Sequence, residues 1–326
     1  HPQSLARKGT ENSSCTYGIG TGANLMPDPN SRLLRKVTSI GIVGRTESPN
    51  ADDAVRDAVA WANKQNIRTF TEPDTALRIG LTAEQPYTRD ELPNHVDLLL
   101  VLGGDGTLLS VAHPVACRDC DTPILAVNCG SLGFLTEIRR PEMLDVLASV
   151  LNGTATLDER HMFRAKVNRG SEVVVDRFVL NDVVIGKSSG SPIVDLSISV
   201  RGHFVTSSRA DGVILATPTG STAYNLAAGG PIVHPTVDAV VITPIAPHTL
   251  TNRPIVLCDD APVVVTPDLT DDHHEIAASF DGQLSVELQN GDTVVIERAN
   301  NPLRVVRSPS RNYFAVLREK LKWGER

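Results

Sequence analysis

His95-Val-Asp-Leu-Leu-Leu-Val-Leu-Gly-Gly-Asp-Gly-Thr-Leu-Leu109 is the stretch around which the rest of the chain arranges itself. Leu98 to Leu102 form an uninterrupted apolar run, which suits a strand buried on both faces of a parallel sheet. The run stops at Gly103-Gly104-Asp105-Gly106, and Thr107-Leu-Leu-Ser-Val-Ala112 has the pattern of a starting helix. Strand, glycine turn and helix, in that order, aim backbone N–H groups and a positive dipole end at an anion. Glycines at 103, 104 and 106 let a phosphate approach the main chain where a Cβ would obstruct it. Asp105 is the odd member, because a carboxylate repels a phosphate unless a metal or a proton acceptor is wanted there. It points to a hydroxyl deprotonated beside bound phosphates. A plain tight turn with an Asp cap uses the same residues.

Working outward, Val37–Gly44, Ile67–Phe70 and Ile124–Asn128 read as further strands. Asp52 to Lys64 carries Ala54, Val55, Ala58, Val59 and Trp61–Ala62 at the spacing of an amphipathic helix. Alternating strands and helices predict a doubly wound, mostly parallel α/β domain over residues 36–150, with ligands at the carboxyl ends of its strands. From about residue 156 the texture changes. Val173–Val175, Phe178–Ile185, Val194–Val200, Val213–Ala216, Val240–Ile242, Val263–Val265 and Val294–Ile296 are short and β-branched, separated by turn signals such as Asn290-Gly-Asp292. This predicts an all-β C-terminal domain over residues 151–305. Asn312–Trp323 is helical in pattern, and the segment 306–326 is expected to fold back on the first domain. Residues 1–35 are rich in Ser, Gly, Asn and Pro without periodicity, and are expected to form a disordered extension, with Met26 a candidate biological start.

The chain has 326 residues and a formal net charge of −7, which excludes the basic face a nucleic-acid binder needs. An anionic ligand must then be held by local N–H groups and a few placed cations. No apolar run reaches the roughly eighteen residues of a membrane span, and no secretory h-region follows Arg7-Lys8. Five scattered cysteines match a reducing, cytoplasmic setting. Cys117-Arg-Asp-Cys120 has no second such pair, so surface thiols are favoured over zinc. His113, His161, His234 and His248 sit in apolar surroundings and read as structural, and Asp271-Asp-His-His-Glu275 reads as a solvated loop.

Three further segments are polar where a β-domain should be dull. Asn128-Cys-Gly-Ser-Leu-Gly-Phe134-Leu-Thr136 is a glycine loop after a strand that presents one aromatic. Asn181-Asp182 places an amide and a carboxylate side by side in an apolar run. Neighbouring strand residues face opposite ways, so both reach one ligand only at a bulge or a strand end. The longest segment, Ser208 to Gly230, joins Arg209 and Asp211 to Thr217-Pro-Thr-Gly-Ser-Thr-Ala-Tyr224 and a helix expected from Thr222. Uncharged donors at a helix N-terminus suit a phosphate or a sugar edge, and Arg209 offers the fork that phosphate recognition prefers.

With these residues in place the chain resembles the NAD kinase family, whose members phosphorylate NAD to NADP. The resemblance rests on Gly103–Gly106, Leu132-Gly-Phe134, Asn181-Asp182, Asp211 to Tyr224, Thr243-Pro-Ile-Ala-Pro-His248 and Asp281-Gly-Gln283, and spans about residues 37 to 325. It implies ATP as phosphoryl donor, Mg²⁺ or another divalent cation as cofactor, and a homo-oligomer, dimer or tetramer, whose dinucleotide pocket is shared between subunits through the β-rich domain. It implies that Asp105 takes the proton from the adenosine ribose 2′-hydroxyl as that oxygen attacks the γ-phosphate, with Gly104 and Gly106 beside it. Phe134 then lies near the adenine, and Asn181 and Asp182 bind ribose hydroxyls, Asp182 standing where many members have Glu. Arg209 and Asp211 contact the nucleotide, with Lys187 as the basic residue after the Asn–acid pair. Thr222, Ala223, Tyr224, Asn225 and Ala227 wall the pocket, and Gln283 makes a distal contact. The absence of GxGxxG after a strand and of GxxxxGK[ST] disfavours a hydride-transfer enzyme and a Walker-type site. A lipid kinase with the same glycine turn and a non-catalytic NAD(P)-binding regulator are the alternatives.

Overall fold

The computed structural model describes residues 36–80, 87–117, 121–188, 191, 193–249, 251–269 and 275–324. The expected N-terminal extension, Met26, Cys15, Cys120 and residues 271–274 of the Asp-His loop lie outside the described residues.

Leu98–Gly103 forms the centre of a seven-stranded sheet and is buried at all six positions. Across the sheet the strands run Arg68–Thr71, Ser39–Gly44, Leu98–Gly103, Ile124–Asn128, Leu303–Val306 and Leu157–Arg160, with Ile138–Arg139 also pairing Ile124–Asn128. All pairs are parallel except that between Leu303–Val306 and Leu157–Arg160. Continuous apolar strands need cover on both faces, and helices supply it. Pro49–Lys64 buries Ala51, Ala54, Val55, Ala58 and Ala62 on one face, joined there by Met143, Val146, Leu147 and Val150 of Met143–Leu151. Asp105–Cys117 buries Leu108, Val111, Ala112 and Val115 on the other.

The remaining strands make two antiparallel six-stranded sheets. Their inward residues, Val167, Ile198 and Ile296 from one and Ile185, Leu215 and Phe280 from the other, share one core. Alternating burial along Phe163–Arg169, Val194–Val200 and Asp292–Arg298 is the pattern of packed sheets. The last helix, Tyr313–Leu321, is capped by Asn312, whose Oδ1 accepts from the Ala315 N–H, and it docks on the first sheet's side through Glu319–Arg139 and Lys320–Leu132 contacts. Among the described residues no helix is long and apolar enough to cross a membrane.

Two expected elements differ. Phe178–Ile185 is not one strand but the end of Glu172–Val179 and the start of Asp182–Lys187. The break has a cause: the Asp281 carboxylate accepts the N–H groups of Leu180, Asn181 and Asp182, removing them from a ladder. The helix expected from Thr222 is a 3₁₀ turn, Thr219–Thr222, followed by the single turn Tyr224–Ala227. Here the Ser221 and Thr222 hydroxyls bond the carbonyls of Pro218 and Thr219, competing with regular helix.

Candidate active site

The Gly103–Gly106 turn opens into a cleft of about 540 Å³ at the carboxyl ends of Ser39–Gly44, Leu98–Gly103 and Ile124–Asn128. Among the described residues lining it, Asp105 is the one carboxylate, while Arg45, Arg89 and Lys320 supply three cations. Arg89 is held in place by the Glu72 carboxylate at 2.6 and 2.9 Å and by the Ser110 hydroxyl at 2.8 Å. Lys320 reaches in from the last helix, donating to the Leu132 carbonyl at 2.8 Å and standing 5.4 Å from the centre of the Phe134 ring. A Cβ at Gly104 or Gly106 would meet nothing within 4 Å, so the main chain there is open to a ligand. Of the first-turn amides of the helix from Asp105, those of Thr107 and Leu108 are taken by the Gly104 carbonyl at 3.0 and 3.2 Å, which leaves those of Asp105 and Gly106 to favour an anion.

Asp105 does not hang free in the cleft. Its Oδ2 accepts from the Phe134 N–H at 2.8 Å, and its Oδ1 accepts from the N–H of Leu135 at 3.2 Å and of Thr136 at 3.0 Å and from the Thr136 hydroxyl at 2.9 Å. The carboxylate therefore pins the loop that carries Phe134. Gly133 makes this possible, since a Cβ there would stand 1.9 Å from Asp105 Oδ1.

Gln283 lines the same cleft, and its turn connects it to the Asn181–Asp182 pair. Asp281 bonds the amides of Leu180 and Asn181 at 2.7 Å and of Asp182 at 3.1 Å, fixing the pair at a strand end as the sequence required. The hydroxyl-rich loop lies against the pair's other side. Thr217 donates to the Leu180 carbonyl at 2.6 Å, and Gly220 approaches so closely that a Cβ would be 2.0 Å from the Asn181 oxygen. Burial, and secondarily the Asp281 carboxylate, push the Asp182 carboxyl up to about 7. An acid with its folded pKa above its ordinary 3.8 holds its proton more tightly when folded. Stability is thus lost as pH climbs from about 4 towards 7, and the cost is complete above that. Asp182→Asn is expected to melt higher than wild type at pH 8, by less at pH 5, and close to it at pH 4. Equal dependence of Tm on pH in the two proteins overturns this.

Other expected site residues lie elsewhere. Ala216 pairs with Asp182 and Gly212 with Gly186, so Lys187 and Asp211 stand at the opposite end of these strands, roughly 16 Å away at ~3.3 Å per residue. They form an ion pair there at 2.9 Å. Arg209 is exposed beside them on the edge strand His203–Ala210. None of these three lines the cleft that holds Asp105. Tyr224 and Ala227 are exposed, Ala223 is half-buried and Thr222 is buried. Asn225 is fully buried, its amide spent on the carbonyls of Ser221 and Pro231 and on the Thr243 hydroxyl, so it shapes the loop and presents nothing to a ligand.

Among the described residues no three His, Cys, Asp or Glu side chains group to hold a metal, and Cys117 is an exposed free thiol. His113 Nδ1 accepts from the Phe178 N–H, and burial, then Arg177, lower its pKa to about 4, in keeping with a structural role. His248 is exposed, contrary to its apolar sequence context, because it lies beyond Ile245, where the strand Val240–Ile245 ends. Arg45, Arg89, Asn128, Thr136 and Lys320 were not among the expected site residues. Arg45 directly follows a strand end, which is a signal, whereas Arg89 and Lys320 reach the cleft only through tertiary folding.

Two family models match the chain, the ATP-NAD kinase N-terminal domain over residues 40–155 and the ATP-NAD kinase C-terminal domain over residues 180–308. An NAD kinase of Geotalea daltonii is 46% identical over 289 residues, covering 88% of this chain and 99% of that protein. One of Syntrophotalea carbinolica is 46% identical over 288 residues, with the same coverage. Among solved structures, yeast NADH kinase complexed with NADH superposes with a TM-score of 0.81 at 24% identity, over 91% of this chain and 93% of that one. An NAD kinase from Archaeoglobus fulgidus in complex with ATP gives 0.68 at 23% identity, over 87% and 98%. These two share the fold. The extent of both family models and the identity to full-length relatives place this chain in the NAD kinase family.

Proposed function

We propose that this protein transfers the γ-phosphoryl group of ATP to the 2′-hydroxyl of the adenosine ribose of NAD, giving NADP and ADP. The observation that carries the reading is one carboxylate, Asp105, set in a cleft rimmed by Arg45, Arg89 and Lys320. Phosphoryl transfer needs positioning and charge neutralisation more than covalent help. The cations and the amides of Asp105 and Gly106 hold the donor's phosphates, and Asp182 and Asn181 bind ribose hydroxyls. The ribose 2′-oxygen bonds to the γ-phosphorus, the bond from that phosphorus to the β,γ-bridging oxygen breaks, and Asp105 takes the hydroxyl proton. The donor set fits a divalent cation carried on ATP's phosphates, since sites of that kind use one or two carboxylates beside the phosphates, and Asp105 is the one carboxylate among the described residues lining the cleft. When bound, that ion neutralises charge developing on the transferred group. Incubation with NAD, ATP and Mg²⁺ is expected to yield NADP. No NADP, with NAD(P) still bound, supports the regulator instead, and phosphorylated diacylglycerol supports the lipid kinase.

The position of Asp211, Lys187 and Arg209 outside the cleft lined by Asp105 supports a homo-oligomer in which a second copy's β-rich domain, residues 151–305, brings them to the nucleotide. An Asp105→Asn protein mixed under exchange with an Asp211→Ala protein is then expected to regain turnover that neither has alone. Persistent inactivity of exchanged oligomers sinks the shared pocket. The free thiols of Cys117, Cys129 and Cys258 agree with a cytoplasmic setting.

A further inference from the structure

We infer that Thr136 is a positioning residue for phosphoryl transfer: its hydroxyl, oriented by Asn128, turns Asp105 so that Oδ2 faces the substrate hydroxyl. The inference rests on the reading of Asp105 as the base and assigns the atom that acts. A carboxylate offers about two acceptor sites on each oxygen. Oδ1 receives three donors, two amides and the Thr136 hydroxyl, all within 3.2 Å. Oδ2 receives one, the Phe134 N–H at 2.8 Å. The open lone pair is therefore on Oδ2, and a ribose hydroxyl entering the cleft meets that oxygen.

A threonine hydroxyl rotates freely unless something decides where its proton goes. Here Asn128 decides it. The Gly130 N–H donates to Asn128 Oδ1 at 2.7 Å, which settles which end of the amide is oxygen. Nδ2 must then donate both its protons, to the Ser131 carbonyl at 2.8 Å and to Thr136 Oγ1 at 2.9 Å. With Oγ1 already accepting, its single proton is left for Asp105. Thr136 is 0% exposed and Asn128 5%, so water does not substitute for either. Asn128 is anchored in turn, ending a buried strand and pairing with Arg139 in the sheet. The chain of bonds thus runs from the parallel sheet to the reacting atom.

The test is a series at position 136 with NAD and ATP as substrates. Thr136→Val keeps the branched shape and deletes the hydroxyl, and kcat is expected to fall about 10–100-fold with the KM for NAD and ATP within about twofold. Thr136→Ser is expected to stay within about threefold of wild type, and Thr136→Cys, a weaker donor, to fall between. In an Asp105→Asn background Thr136→Val is expected to change kcat no further, because there is no carboxylate left to aim. If Thr136→Val does not fold, the Ser and Cys variants still order the donors. A Val or Cys variant as fast as Ser, or an undiminished Val effect in the Asp105→Asn background, overturns the inference. An Asp105→Asn protein at full rate overturns the base reading instead, so the two failures are distinguishable.

Discussion

Asp105→Asn is expected to lower kcat for NAD phosphorylation by about 10²–10⁴-fold, the worth of a positioned general base. The geometry adds a second effect that a free carboxylate would not have. Asp105 accepts four hydrogen bonds from Phe134, Leu135 and Thr136, and an amide can accept on its oxygen alone. If the Asn oxygen takes the place of Oδ1, its NH₂ faces the Phe134 N–H, donor against donor. The variant should therefore lose about 1–3 kcal/mol of stability as well as turnover. Thermal melting and steady-state kinetics separate the two. Turnover near wild type removes Asp105 from the chemistry and leaves it the loop's anchor, while unchanged melting with lost turnover says that the loop is held by other contacts. NAD binding is expected to persist, because the Asn181–Asp182 pair is fixed by Asp281 independently of this loop.

Local pattern carried much of this architecture. Leu98–Gly103, Ser39–Gly44 and Ile124–Asn128 are buried throughout, so their composition alone reports a covered parallel sheet. The helix Pro49–Lys64 shows its buried face as periodicity. Leu303–Val306 was not legible as part of that sheet, since four residues say nothing about a partner 181 residues earlier. The break at Leu180–Asn181 was hidden for the same reason, its cause lying in Asp281. In the site, the glycine turn and Gln283 were readable and do line one cleft. The three rimming cations were not, because Arg89 and Lys320 stand in ordinary helical or turn contexts and only folding brings them together. Asn225 looked like a ligand group because Gly, Ser and Thr surround it, yet those neighbours are what use up its amide. A polar residue in a polar loop is as often the loop's own scaffold as its working surface, and burial is what separates the two.

Gly133→Ala should abolish most turnover while leaving the β-domain intact. A methyl at that position would lie 1.9 Å from Asp105 Oδ1, 2.5 Å from its Cγ and 2.5 Å from the Thr136 hydroxyl. Real Cβ atoms do not approach that closely, so something must shift. The Leu132–Phe134 loop is poorly placed to yield, tied by the Lys320–Leu132 bond on one side and the buried Asn128–Thr136 contact on the other. Asp105 is the part able to move, by rotating its carboxylate away from the loop into the cleft. That rotation surrenders its loop hydrogen bonds and turns the base away from its productive direction, and a misplacement near 1 Å is worth about 10²-fold in rate. It also places a negative charge where the donor's phosphates sit, so the KM for ATP should rise, which separates this variant from Thr136→Val with its unchanged KM. The expected profile is kcat down at least ~10²-fold, weaker ATP, retained NAD binding and a melting temperature lowered by loss of the loop's bonds. Full activity in Gly133→Ala would mean that the carboxylate's contact with the loop is dispensable, and Asp105 would then have to work from a position this packing does not allow.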